Sequence, residues 1–454
     1  MTGPSESANQ AATGSGASDP GAAPPLVARQ DPTTGRDVQD IQRRTLRVLM
    51  AVVSVGGAGT AGAFSVAAVL AERITGNETL SGLAASGLTI GSALVAVPMA
   101  KLMNRSGRRV GLRSGYFLAL AGAIVAMLGG QTDAYALVVI GFAAVGTGNA
   151  CTLAARFAVV DLAVPAHRAR TIGLLVGATT VGAILGPTLA LGPATTVATA
   201  VGLDELSGPY LFAAAAFILA ALLSDRGLRP DPLLVARRLG GGAETARTGG
   251  NLARSIRLIF RLPAVRLATL AMMVGQSVMV ATMVMTPLHM TDGDQSLDLI
   301  GFVISIHIVG MYALAPLVGW VTDRLGPVPM IVAGGVISFG GAEIAAHTPP
   351  DVAWGMFVGM FGVGLGWNCC LVAGTALFTA VVSAADRVPV QGAADLLMTA
   401  SGSVAGVAGG AVVAWQDFQF LSHYSGLFGA ALAGVAAVAY LRNLGDSPRS
   451  ATRA

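Results

Sequence analysis

Twelve uninterrupted apolar runs, near 48–71, 79–103, 114–130, 135–160, 171–192, 209–224, 264–290, 299–321, 330–347, 353–383, 393–415 and 425–441, dominate this chain. Each is long enough to cross a bilayer, which takes about 20 residues at 1.5 Å per residue. In hydrocarbon the backbone N–H and C=O groups of a run must be satisfied within that run, so each is expected to be an α-helix. With 54% hydrophobic residues, 11% charged residues and a mean hydropathy of +0.68, little is left for a large aqueous domain. The runs fall into two sets of six. Between them, residues 225–262 carry Arg226, Arg229, Arg237, Arg238, Arg247, Arg254, Arg257 and Arg261 and a triglycine at 240–242, the composition of a basic connector.

The net charge of +4 would point a soluble chain toward polyanions, but here the basic residues occupy connections between spans. They act as topology signals, and no nucleic-acid partner is expected. With the amino terminus in the cytoplasm, the connections that face outward hold one basic residue, Arg73, together with Glu72, Glu78, Asp133, Asp204, Glu205, Asp292, Asp294, Asp298, Asp351 and Asp417. Both termini are therefore expected to be cytoplasmic. Residues 1–41 form an expected disordered tail, 42–224 and 263–441 two six-helix bundles, 225–262 a cytoplasmic linker and 442–454 a second tail. Three cysteines within apolar runs, two of them adjacent, build no disulfide framework.

An internal repeat ties the halves together. Ala100-Lys-Leu-Met-Asn104-Arg105-Ser-Gly107-Arg108-Arg109 follows the second span, and Gly319-Trp-Val-Thr-Asp323-Arg324-Leu-Gly326 follows the eighth, at a constant offset of 219 residues. These stretches resemble the signature loop of the major facilitator superfamily. The resemblance implies twelve transmembrane helices in two halves, alternating access and a gating role for the loops. The first copy departs from the pattern at Ala100 and Asn104, which leaves Asp323 as the complete gating charge. In the fifth span, Gly182-Ala-Ile-Leu-Gly186-Pro187 resembles the superfamily's antiporter kink; by local physics it is first a small-residue packing seam with a bending proline.

Ionisable residues inside the spans are few. Arg156, near the cytoplasmic end of the fourth span, is expected either to snorkel or to pair with Asp161, five residues on, as part of a gate. Glu343 is a candidate proton carrier, although its peripheral span favours a structural or interfacial role, and Asp395 is expected to serve a helix N-terminus.

The transported species is suggested by soft donors. On a helical wheel Met272, Gln276, Met279, Met283 and Met290 lie within about 60° of one another, and His307 and Met311 share a face one turn apart. Thioether sulfur is uncharged and selects Cu(I) over harder cations, and imidazole adds a donor that protonation can release. Met also packs flexibly around varied organic solutes, and three Met-x-x-x-Met pairs among 16 Met weaken any single pair. Met279-Val-Ala-Thr-Met283 followed by His307-Ile-Val-Gly-Met311 resembles the paired motifs of the CcoA-like copper importers, a branch that also resembles riboflavin carriers. The resemblance implies copper as substrate, with Met279, Met283, His307 and Met311 as ligands. Gln276, Met290, Trp367, Asn368, Cys369 and Cys370 are added as candidate cavity residues. The alternative is proton-coupled transport of a small organic compound, by drug or metabolite efflux or flavin uptake. No nucleotide loop, nucleophile triad or catalytic carboxylate pair is present, so neither an enzyme nor a resident cofactor is expected. A multi-pass plasma-membrane monomer is the expected form, its partners the lipid bilayer and a small solute or ion.

Overall fold

The computed structural model describes residues 32–76, 78–239, 252–383 and 386–445. Expectations for 1–31, for the triglycine and Arg247, and for 446–454 lie outside these. The described residues are helical almost throughout. The first half comprises α1 (Pro32–Thr75), α2 (Glu78–Ser106), α3 (Arg108–Gln131), α4 (Tyr135–Ala158), α5 (Arg168–Leu191), the short α6 (Pro193–Ala200) and α7 (Gly208–Gly227). The connector contributes α8 (Pro232–Leu239) and α9 (Leu252–Arg261). The second half comprises α10 (Pro263–Asp292), α11 (Leu297–Ile308), a π-helical turn (Val309–Ala313), α12 (Ala315–Leu325), α13 (Pro327–Ala346), α14 (Ala353–Val381), α15 (Arg387–Trp415) and α16 (Phe418–Gly445). Among the described residues twelve helical stretches are long and apolar enough to cross a membrane, one for each run in the sequence.

Two boundaries differ from expectation. Helix α1 starts at Pro32, within the stretch expected as tail, and the connector holds two helices. The second of these, Leu-Ala-Arg-Ser-Ile-Arg-Leu-Ile-Phe-Arg, buries Ser255 and Ile259 and leaves Phe260 exposed, as an amphipathic surface helix does. Helix α5 runs through Pro187 to Leu191. Gly182 and Gly186 bring it against the α1 backbone: a Cβ on Gly186 would stand 2.6 Å from the Ala58 carbonyl oxygen. The packing reading of this motif accounts for what is seen.

Because six spans separate Pro32 and Gly445 each from the connector, these described ends and the connector share one face, called here the linker face. The halves are bolted together there. Arg108 reaches from the start of α3 to Gln391 on α15 at 2.8 Å, Arg168 donates to the Thr379 carbonyl at 3.2 Å, and Gly173 and Gly392 let α5 and α2 approach α12 and α15.

Candidate functional site

At mid-depth, where the two halves face each other, a cavity of about 110 Å³ opens between α1, α2, α4 and α5 on one side and α10, the π turn, α14 and α15 on the other. The π turn builds one wall. Its extra residue per turn presents Met311 and Tyr312 together to the cavity, while Gly310 admits α14: a Cβ there would lie 2.5 Å from the Phe361 carbonyl oxygen. The Tyr312 ring packs edge-on against Trp367, centroids 5.5 Å apart. The Trp367 indole N–H donates to Gln276 Oε1 at 2.8 Å. Two aromatic rings and an amide are thus held in one arrangement, opposite Asn149, Thr152 and Thr179 of the first half.

Arg156 forms the linker-face end of this cavity and is 2% exposed. Its Nε donates to the Leu153 carbonyl at 2.9 Å, its Nη1 to Thr375 Oγ1 at 3.3 Å and its Nη2 to Asp395 Oδ1 at 2.7 Å. Asp395 itself is 4% exposed and lies on a second cavity of about 10 Å³, the size of a single water.

Two expectations about these charges are corrected. Arg156 does not pair with Asp161, because α4 ends at Ala158 and the chain turns away. Asp161 instead takes the Arg108 guanidinium, at 2.9 and 3.3 Å. Asp395 does not serve the N-terminus of α15, which begins two turns earlier at Arg387; it holds Arg156 across the interface between halves. Glu343 lies far from the cavity lining, on the face opposite the linker, with His423 Nδ1 at 2.7 Å and His347 Nδ1 at 3.5 Å.

The two loops of the repeat differ from each other. Asp323 accepts the backbone N–H groups of Ala169 and Arg170 at 2.9 and 2.8 Å. Asn104, its counterpart, takes the Arg237 guanidinium of α8 on its side-chain and backbone oxygens. Gly107 and Gly326 both start the next helix at φ near +90°, a conformation that favours glycine. Arg109 offers its backbone N–H to Asp231 at 2.7 Å, Arg105 is exposed, and the Arg324 guanidinium lies 3.7 Å over the Trp320 ring. Gly319 lets α12 meet Ala169 at close range.

Of the four soft donors, Met279 and Met311 line the cavity, and Met283 and His307 do not. His307 is fully buried with Nδ1 2.7 Å from the Met360 carbonyl oxygen and no partner for Nε2. Met283 packs between the central core and a cluster of Met290, Met356, Met360 and Phe418 near the face opposite the linker. Among the other candidates, Gln276 and Trp367 line the cavity, whereas Met290, Asn368, Cys369 and Cys370 do not. Asn368 reaches toward the Gly310 carbonyl at 3.4 Å. The two cysteines pack against Gly275 and Gly334 of α10 and α13. Among the described residues no group of three or more His, Cys, Asp and Glu side chains is placed to hold a metal. Tyr312, Asn149, Thr375, Gln391 and Asp231 were not anticipated, since uncharged or connector residues carry no signal in an apolar sequence without their partners.

Residues 48–295 match the family model of the Major Facilitator Superfamily, more than half of the chain. The chain belongs to the major facilitator superfamily. Two relatives from Bacillus subtilis (strain 168), the MFS-type transporters YdeG and YddS, are 34% and 31% identical to this major facilitator. The first alignment covers 86% of this chain and 90% of the relative, the second 84% and 87%. The riboflavin transporter RfnT of Brucella anthropi is 25% identical over 84% of this chain and 92% of its own. In fold, this facilitator is similar to the transporter FucP in its outward conformation (TM-score 0.64, 15% identity, 87% of this chain and 98% of that one). It is also similar to a bacterial homologue of the iron transporter ferroportin in an outward-facing state (0.66, 14%, 88% and 100%).

Proposed function

We infer that this transporter moves a small organic solute across the plasma membrane by alternating access, as a monomer, with the linker face cytoplasmic and the central cavity loaded from the other side. The cavity lining carries this reading. A Tyr312–Trp367 corner braced by Gln276, facing Asn149, Thr152 and Thr179, offers ring faces for a flat solute and several neutral hydrogen-bonding groups around its edge. The name of the relative RfnT, a riboflavin transporter, is in keeping with such a solute. The test is a binding screen on purified protein: riboflavin and a panel of aromatic metabolites, read by thermal stabilisation and then by uptake into vesicles. A panel without a single stabilising compound would sink the reading.

Copper uptake is the second reading, and it keeps one observation in its favour: Met279 and Met311 share the cavity wall. Cells making the protein should then gain radioactive copper over empty-vector cells, and Met279→Ala should abolish the gain. No gain in the wild type ends the copper reading.

A further inference from the structure

We propose that the solute is an anion, bound by Arg156 on the cavity side while a proton is taken up by Asp395 on the other, so that solute and proton enter the site together. This rests on the organic-solute reading above and names the substrate class. Among the described residues Arg156 is the one charged side chain that lines the central cavity. Asp395 is not on that cavity. It approaches the same guanidinium from the far side, through Nη2, and faces the smaller cavity between α2, α4 and α15. One buried cation therefore stands between two places for a negative charge.

Electrostatics in a dry site then dictate the stoichiometry. With the cavity empty, Arg156 and ionised Asp395 sum to zero charge. Adding an anion would leave a net buried negative charge, which is costly in a low-dielectric interior. Protonating an Asp395 carboxylate oxygen restores neutrality: one proton from the medium for each anion that arrives. The surroundings leave that role to Asp395. Arg108, the next cation, is already held by Asp161 at 2.9 Å and by Gln391 at 2.8 Å. Besides Arg156, the groups around Asp395 are the Arg108 guanidinium, Gln391 and Thr399 on its own helix, Thr375 through Arg156, and Ser92, Met99 and Met103 of α2, none of them a second acid. The same event loosens a tie between the halves, since protonated Asp395 no longer forms an ion pair with α4.

The test uses purified full-length protein with benzoate, phenylacetate and indole-3-acetate as probes, each beside its neutral amide, in weakly buffered detergent with a pH indicator. Wild type should bind at least one acid about tenfold or more tightly than its amide, with close to one proton taken up per acid bound and none per amide. Affinity for the acid should fall as pH rises. Asp395→Asn should bind the acid without proton uptake and without that pH dependence, a positive signal that a misfolded variant could not give. Arg156→Gln should lose the preference for acid over amide, and Arg156→Lys should keep it. Amides that bind as well as acids, or acids that bind without proton uptake in the wild type, overturn the anion proposal and leave the organic-solute reading standing. If neither acids nor amides bind, the anion proposal falls, and the organic-solute reading falls with it only when riboflavin and the wider panel also fail to stabilise the protein.

Discussion

Asp323 clamps the first turn of α5 through the N–H groups of Ala169 and Arg170, whereas Asn104, at the matching place in the first half, is taken up by Arg237 of the connector. The repeat is symmetric in sequence and asymmetric in chemistry. A carboxylate at a helix N-terminus meets both unpaired N–H donors and the positive end of the dipole. A neutral amide lacks the charge, and Asn104 is engaged from outside the bundle by a connector arginine. Of these two positions, only Asp323 ties one half to the other, beside the Arg108–Gln391 and Arg168–Thr379 contacts at the same face.

Asp323→Asn should consequently lower thermal stability by about 1 kcal/mol and loosen the linker face. A cysteine placed at Thr379, which is fully buried there, should react faster with a thiol reagent in the Asp323→Asn background than in its absence. Equal rates in the two backgrounds would show that Asp323 does not gate.

The twelve spans and the paired loops were legible because apolar length and a repeated motif are one-dimensional signals. Helix α1 and the connector were read less well, since polar amphipathic stretches such as Leu252–Arg261 look like loop until a surface is there to bury Ile259. Charge pairing was the poorest guide. Spacing suggested Arg156 with Asp161, five residues apart, but the helix end redirected Asp161 to Arg108 and gave Arg156 a partner 239 residues away. Of the five residues that helical-wheel logic drew onto one face of α10, Gln276 and Met279 line the cavity and Met272, Met283 and Met290 do not; Met311 of the next span also lines it. The wheel could not foresee that His307, one turn from Met311, lies against α14, because the π turn that follows shifts the register between the two.

Trp367 and Gln276 form a single unit, so truncating one should affect the other. Trp367→Phe keeps a ring beside Tyr312 but removes the donor for Gln276 Oε1. A lost buried hydrogen bond of this kind costs roughly 1–3 kcal/mol. Solute affinity in the stabilisation assay should fall about tenfold or more, with Gln276→Leu equally impaired. If Trp367→Phe binds as tightly as the wild type, the aromatic corner is scaffold and not binding surface.

The three cysteines should be inert in the folded protein. Cys151, Cys369 and Cys370 are all buried, with Cys370 against Gly275 and Cys151 against Gly115. A thiol reagent should modify fewer than about one thiol per native molecule and all of them after unfolding. Solute binding should be unchanged by the treatment, because none of the three lines the cavity. Rapid labelling of Cys369 or Cys370 that solute blocks would move the binding site onto α13 and α14.

Arg73, the single basic residue in connections expected to face outward, owes its place to Asp204. Its Nη1 sits 2.8 Å from both carboxylate oxygens, so the exception to the charge rule is neutralised locally. Partial burial alone would push the Asp204 carboxyl up. The Arg73 hydrogen bond and charge and the Leu206 N–H outweigh it and hold the group below the usual carboxylate value. A carboxyl depressed in the folded state contributes stability above its unfolded value, near 3.9. That contribution is lost as pH falls through the lower folded value. Both side chains are roughly two-fifths exposed, at 40% and 37%, so screening limits the effect to a few tenths of a kcal/mol. Asp204→Asn isolates the charge, because asparagine can still cap the 205–207 turn as Asp204 does through Leu206. Its thermal stability should trail the wild type slightly at pH 7 in low salt, and the gap should close both below about pH 3 and in high salt. A gap that persists under both conditions would mean that packing or the cap, and not the ion pair with Arg73, holds this corner together.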